Sequence, residues 1–237
     1  MLEFIPVSKC EEEIDVDTDK VKFLDNTVGN SIAKKYNYAI ENYILNSDDN
    51  IICFRHKDCY IKTPLDVCNY KLTKLFEEGD VGIAGVIGTI ALDSNCTWWN
   101  GVPRAGGRSN YGSGFIIQGD IDNHLRLVEY PMREHYGVHD YLATVDGCCM
   151  FFPKWIFEEG LRFDESLQDY HFYDTDISLQ VLERGYKVST IDIEVRHYSK
   201  GQPPKNFDTL KKPFFEKWNK KVHGEWPISR LSTFYKD

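Results

Sequence analysis

A chain of 237 residues that is 42% hydrophobic and 14% aromatic can bury one substantial core, so a single compact domain is expected. Its 37 Asp+Glu against 28 Lys+Arg, net −9, gives a field that repels polyanions and argues against nucleic acid as a partner. No run approaches the roughly 18 to 20 apolar residues of a membrane span, and the opening MLEFIPVSKCEEEIDVD turns acidic where a secretory signal is apolar, so the expected location is the cytoplasm.

Seven cysteines without CxxC spacing read as reduced, mostly buried thiols, and Asn95-Cys96-Thr97 matches the glycosylation pattern by chance. Along the chain, VKFLD (21–25) is a short apolar run ending at a turn-forming Asp-Asn, a strand that stops at a sheet edge. SIAKKYNYAIENYIL follows with Ile32, Tyr36, Ala39, Ile40, Tyr43 and Ile44 at helical spacing and Asn30 or Ser31 as cap. NIICFRH (50–56) is too short for a helix and reads as a buried strand. Thr63-Pro64 opens a helix with a cap and a first-turn proline, its buried face marked by Leu65, Cys68, Leu72, Leu75 and Phe76. VGIAGVIGTI (81–90) reads as one buried strand. Its glycines match neither a P-loop nor GxGxxG, so they serve close packing.

This strand-helix alternation predicts a parallel sheet with ligands beyond its carboxyl ends. Residues 91–114 break the rhythm as a long loop holding Trp98 and Trp99. A more antiparallel half follows: FIIQG, HLRLVEY and ATVDGCCMFF as strands, DTDISLQVLERG as a helix closed by Gly185, and YKVSTIDIEVRH as the last strand. Beyond Lys200 the chain turns basic and aromatic, a tail expected to be a helix interrupted at Pro213.

Several of these positions suit chemistry. Asp58, just after NIICFRH, stands where a parallel sheet presents ligands and suits a divalent cation, although a turn aspartate is the plainer reading of that residue alone. Asp25 is a turn former at a position that also suits a nucleobase or ribose. FDESLQDYHFYDTDISLQ packs Asp164, Glu165, Asp169, His171, Asp174 and Asp176 around a helix start, more acids than capping explains. His197 ends the last strand as a metal ligand or a surface histidine. His135 and His139, beside Glu134 and Asp140, raise a metal hydrolase, but the order is not HExxH and Gly137 weakens the helix that would align them.

SIAKKYNYAI, FRHKDCYI, VGIAGVIG, WWNG, VDGCCMFFPKWIFEEGLRFDE, YHFYDTDISLQVLERGYKV and EVRHYSKG, in that order over most of residues 21–201, resemble the GT-A glycosyltransferases, specifically a glycosyltransferase-like branch related to family 2. The resemblance implies an α/β, Rossmann-like nucleotide-diphospho-sugar transferase fold: a mostly parallel central sheet flanked by helices, with a smaller antiparallel portion on the acceptor side. It implies one catalytic domain over 1–201, its donor and metal half reaching about residue 90, and a tail over 202–237 packed on that domain.

It also implies roles. His56-Lys57-Asp58 occupies the place of the DxD motif, with Asp58 matching the metal-binding aspartate and His56 replacing the first aspartate as a donor contact; His197 matches the histidine that completes the metal site. Asp25 and Asn37 join His56 and Asp58 as donor contacts. Asp174 matches the base of the Glu-Asp pair, whose glutamate is Tyr173 here, so Asp176 competes for that role. Trp98, Trp99, Asp146, Gly147 and His171 fall on the acceptor side, whereas LEFIPVSK represents the family's N-terminal strand poorly.

The implied reaction is metal-assisted, Mn²⁺ or Mg²⁺, moving a sugar from a nucleotide-diphosphate donor to a hydroxyl of a glycan or lipid-linked acceptor with inversion. The alternative is an inactive module of the same fold that binds glycan or nucleotide. For the tail, packing on the body is favoured over peripheral contact with the inner face of a membrane.

Overall fold

The computed structural model describes residues 1–7, 20–90, 92, 112–119, 142–167, 171–199 and 207–220. HLRLVEY, Trp98, Trp99, His135 and His139 lie outside the described residues. The central sheet has six strands in the order β11-β5-β10-β3-β1-β2, where β1 is Leu2–Pro6, β2 Val21–Leu24, β3 Ile51–Arg55, β5 Val81–Gly85, β10 Cys149–Pro153 and β11 Lys187–Thr190. β1 pairs in parallel with β2 and β3, and β11 with β5; β10 runs antiparallel between β3 and β5. The amino end of β10 therefore meets the carboxyl ends of its neighbours, and both kinds of end feed one edge.

Two short three-stranded sheets flank that edge. One joins β4 (Cys59–Ile61), β12 (Val195–His197) and β8 (Ile117–Gln118); the other joins β7 (Gly112–Gly114), β6 (Ile87–Thr89) and β9 (Thr144–Val145). Strand alternation divides the apolar residues between two cores. Ile52, Phe54, Met150 and Phe152 face α1 (Ile32–Ala39), α3 (Trp155–Glu158), α4 (Tyr173–Glu183) and α5 (Phe207–Lys220), while Ile51, Cys53, Cys149 and Phe151 face α2 (Leu65–Phe76).

The structure revises several expectations. LEFIP, a poor match to the family's first strand, is an interior strand whose Phe4 and Ile5 are buried. The run 81–90 breaks into β5 and β6 in different sheets, and 187–197 into β11 and β12 likewise, because hydropathy alone does not reveal a change of pairing partner. Close packing of the glycines does hold: a Cβ at Gly85 would lie 2.5 Å from Val145 Cβ, and one at Gly88 2.3 Å from Thr144 O. α1 starts at the Ser31 cap and runs into a π turn over Ile40–Ile44. Thr63 does not cap α2; its hydroxyl accepts the Glu194 amide instead, and Leu65 is exposed. α5 continues through Pro213, which stands on its exposed side. Phe214 and Trp218 bury its inner face in the core.

Candidate active site at the carboxyl edge of the sheet

The turn after β3 is fastened from three directions. The Arg55 guanidinium pairs with Glu3 on β1 at 2.9 Å and donates to the Cys59 carbonyl at 2.7 Å, while the His56 amide donates to Cys148 O at 2.9 Å. The Tyr198 amide donates to Asp58 O at 2.9 Å, which ties the turn to the end of β12. These bonds bring His56, Asp58 and His197 together, with one ligand atom from each lying within 4.8 Å of the others.

His197 is buried, and both of its ring nitrogens lack a hydrogen-bond partner among the described residues. Asp58 Oδ1 stands 3.4 Å from His197 Nε2, within ion-pair reach but without hydrogen-bond geometry. Burial alone would lower His197; the close contact with the Asp58 carboxylate, with the charge of Asp146 nearby, outweighs it and raises the imidazole above its ordinary value. Asp58 is held below the usual carboxylate range: burial pushes it up, but His197 and His56 pull it down further. His56 is lowered, first by burial and then by the charge of His197. Two imidazoles and one carboxylate, with an orphaned buried ring at the centre, form a donor set that fits a divalent transition ion better than magnesium.

Across from this cluster, β9 leads through Asp146-Gly147 into β10. The Asp146 carboxylate accepts the Cys148 amide at 2.7 Å. Asp174, in the first turn of α4, accepts the Gly147 amide at 3.0 Å and the Thr175 amide at 2.8 Å. Burial, then the charge of Asp146, pushes Asp174 up to about 7. A carboxylate poised there changes protonation state near neutrality, as a general base must.

Tyr173 links the two groups. Its hydroxyl is 2.6 Å from His56 Nε2, and a Cβ at position 147 would fall 2.1 Å from that same hydroxyl, so no side chain fits there. The sequence marks His56 and Tyr173 as two separate departures from the family pattern. In the structure they are one hydrogen-bonded pair. The signal available beforehand was that coincidence: a carboxylate missing at both positions.

The remaining expected site residues fall differently. Asp25, half-buried after β2, accepts both the amide and the hydroxyl of Thr27, and the hydroxyl bond leads in holding its carboxyl low. The loop it starts is anchored by buried Lys35, whose Nζ donates to Val7 O at 2.6 Å and Asn26 Oδ1 at 2.9 Å. Asn37, expected among the donor contacts, instead spends its amide on the fold. Its Nδ2 donates to Phe163 O and Glu165 Oε1, and its Oδ1 accepts the Phe163 amide.

Asp176, the competitor for the base, is fully buried. Trp218 Nε1 and Lys217 Nζ reach its Oδ1 at 2.7 Å, and Gln180 Nε2 reaches its Oδ2 at 2.7 Å, which leaves it structural work. His171 rests edge-on against Phe207 of α5.

A profile of a glycosyltransferase-like family matches residues 11–218. The chain belongs to this family. Among solved structures, the chain is similar to that of GalNAc-T7 with UDP, GalNAc and Mn²⁺, at TM-score 0.51 and 13% identity over 92% of this chain and 41% of that one. A197 from STIV is similar at TM-score 0.49 and 11% identity over 84% and 85%. This chain thus spans less than half of the GalNAc-T7 chain. A search of curated proteins found no match. The fold of this glycosyltransferase is GT-A, with the mostly parallel sheet and flanking helices that the resemblance implied. No helix among the described residues is long and apolar enough to cross a membrane.

Proposed function

We propose that this glycosyltransferase moves a sugar from a nucleotide-diphosphate donor to an acceptor hydroxyl, with inversion, using Asp174 as general base beside a divalent cation held by His56, Asp58 and His197. The observation that carries the reading is the convergence of those three ligand atoms within 4.8 Å at the sheet edge, across from a half-buried carboxylate raised to about 7. Bound there, Mn²⁺ would neutralise charge on the departing diphosphate.

The chain's own groups do the rest. Asp174 takes the proton of the acceptor hydroxyl as its oxygen bonds to the anomeric carbon, while the bond from that carbon to the diphosphate oxygen breaks and the nucleotide diphosphate leaves. Gly147 and Thr175 amides orient the carboxylate, and Tyr173 orients His56. Asp25 faces the nucleoside in this reading. The acceptor is a glycan or lipid-linked hydroxyl. For the tail, α5 turns Phe214 and Trp218 inward and leaves Asp208, Lys212 and Glu216 outside, a mixed face that suits packing on the body better than an anionic membrane.

The test is ultraviolet-monitored release of nucleotide diphosphate from a panel of nucleotide sugars, UDP-GalNAc first, with and without Mn²⁺ and with simple sugar acceptors. Mn²⁺-dependent release supports the reading. Binding without release across the panel points to the inactive module instead.

A further inference from the structure

α5 grips the segment that carries Asp174 on both sides. Phe172, directly before α4, has φ 65° and ψ −9°, the sole non-glycine residue in the left-handed region among those described. An aromatic residue holds that conformation only where its surroundings impose it. The surroundings here are α5: the Phe172 ring stacks on Phe214 with centroids 4.9 Å apart and planes 23° apart, and lies 5.0 Å from Phe207.

One turn further on, Asp176 is bonded by Trp218 and Lys217 of the same helix, and Lys217 also reaches Asp164 Oδ2 at 2.6 Å. The carbonyl of Phe172 accepts the Asp176 amide at 2.8 Å, so the strained residue opens the helix. Tyr173 and Asp174 stand between these two anchors. The direction in which Phe172 turns the chain sends the Tyr173 hydroxyl to His56 and the Asp174 carboxylate to Gly147.

We propose that α5 is an intramolecular clamp that sets the base: Phe214 and Trp218 are positioning residues that hold Phe172 left-handed and Asp176 in place, and thereby fix Asp174 against Gly147. The role of Asp174 in transfer rests on the function proposed above; the clamp itself does not. Phe214 also fills core volume, so the test must separate local placement from general stability. The turn that carries His56 and Asp58 is fastened by β1, β10 and β12, and its geometry should survive loss of the clamp.

The experiment uses the full chain with Phe214→Ala, Trp218→Phe, and Phe214→Ala combined with Phe172→Gly, since glycine adopts φ 65° without help. Hydrogen exchange by mass spectrometry is read at peptides over 143–149 and 172–178 against 51–59. Mn²⁺ and UDP affinities are read by calorimetry, and turnover by UDP release from UDP-GalNAc. Expected for Phe214→Ala is at least tenfold faster exchange at 143–149 and 172–178, unchanged exchange at 51–59, Mn²⁺ and UDP affinities within about twofold, and kcat reduced at least tenfold with KM for donor unchanged. Phe172→Gly added to Phe214→Ala restores protection and part of kcat.

Trp218→Phe, which keeps an aromatic ring but removes the indole N–H, gives the same pattern more weakly and carries the test alone if Phe214→Ala does not fold. Exchange that accelerates equally at 51–59, or that stays unchanged at 172–178, overturns the clamp. Absence of turnover in the unaltered chain would sink the transferase reading for this donor while the exchange pattern still decides the clamp.

Discussion

The candidate cation cluster and the segment proposed to carry the base face one another across the same edge but are built by different means. His56 and Asp58 lie two residues apart on a turn fixed by backbone bonds to Cys148 and Tyr198 and by the Arg55–Glu3 pair, so its shape is dictated by the sheet. Tyr173 and Asp174 follow a left-handed Phe172, and their placement depends on side chains contributed more than thirty residues later. The first region is held by backbone bonds among sheet strands; the second depends on side-chain packing against α5. Damage to one should therefore leave the other measurable.

The largest expected effect comes from emptying the cluster. His197→Ala should weaken Mn²⁺ binding by about 100-fold or more in calorimetry and abolish Mn²⁺-stimulated turnover. Its melting temperature should fall modestly, because the variant removes a buried ring and its contact with Asp58, so the Mn²⁺ isotherm is read at a temperature where both proteins are folded. An unaltered Mn²⁺ isotherm would remove the cluster from the mechanism.

Asp174→Asn is the complementary cut on the other side. It should lower kcat by about 10²- to 10⁴-fold while leaving Mn²⁺ affinity intact. In the unaltered chain kcat should rise with pH through a limb near 7, since the base works only when deprotonated. Stability runs the other way. With its folded value raised above the ordinary 3.8 to about 7, the carboxyl's contribution is fully present below 3.8 and is lost as pH rises through 7. Asparagine stays neutral throughout, so the melting temperature of Asp174→Asn minus that of the unaltered chain should grow between pH 4 and pH 8. A flat difference would mean that the carboxyl titrates normally.

Tyr173→Phe probes the bridge between the regions. Loss of the 2.6 Å contact to His56 should weaken Mn²⁺ by about 10-fold, the lower range for a group supporting a metal ligand, with a smaller effect on stability. Equal affinity in the two proteins would show the regions to be independent. Gly147→Ala gives the smallest effect on binding and acts on stability instead. A methyl group meets the Tyr173 hydroxyl at 2.1 Å, so urea unfolding should show a loss of about 1–3 kcal/mol. Tyr173→Ala in the same chain should recover part of it.

The contrast also explains what was legible in the sequence. Helix α1 with its Ser31 cap and strand β3 could be read because each is written in consecutive residues with a local physical signature, whereas His197, which stands with His56 and Asp58 here, was linked to Asp58 only through the family resemblance, with His56 expected as a donor contact. Strand β1 was missed because a proline and a charged residue dilute its five-residue run, although both neighbours in the sheet are parallel partners. β5 and β6 were merged because an apolar run carries no mark of where it changes sheets.

Asp174 and Asp176 were told apart by their places at the helix start, with Asp176 expected to serve the helix backbone; in the structure its carboxylate is held by side chains instead. The reason Asp176 is occupied, however, lies in Lys217 and Trp218, and no local pattern links them to it. The bonds of Asn37 were hidden for a similar reason: its partners Phe163 and Glu165 lie 126 and 128 residues along the chain.

Cys53, Cys59, Cys68, Cys148 and Cys149 are free thiols with no accessible surface, and Cys148 directly follows Gly147. A thiol in that state meets an alkylating reagent only when the surrounding structure opens. The native protein therefore carries its own set of opening clocks. Under dilute iodoacetamide, Cys148 times the separation of β10 from the turn that holds His56, and Cys68 times the lifting of α2, each read as a mass increment on its own peptide.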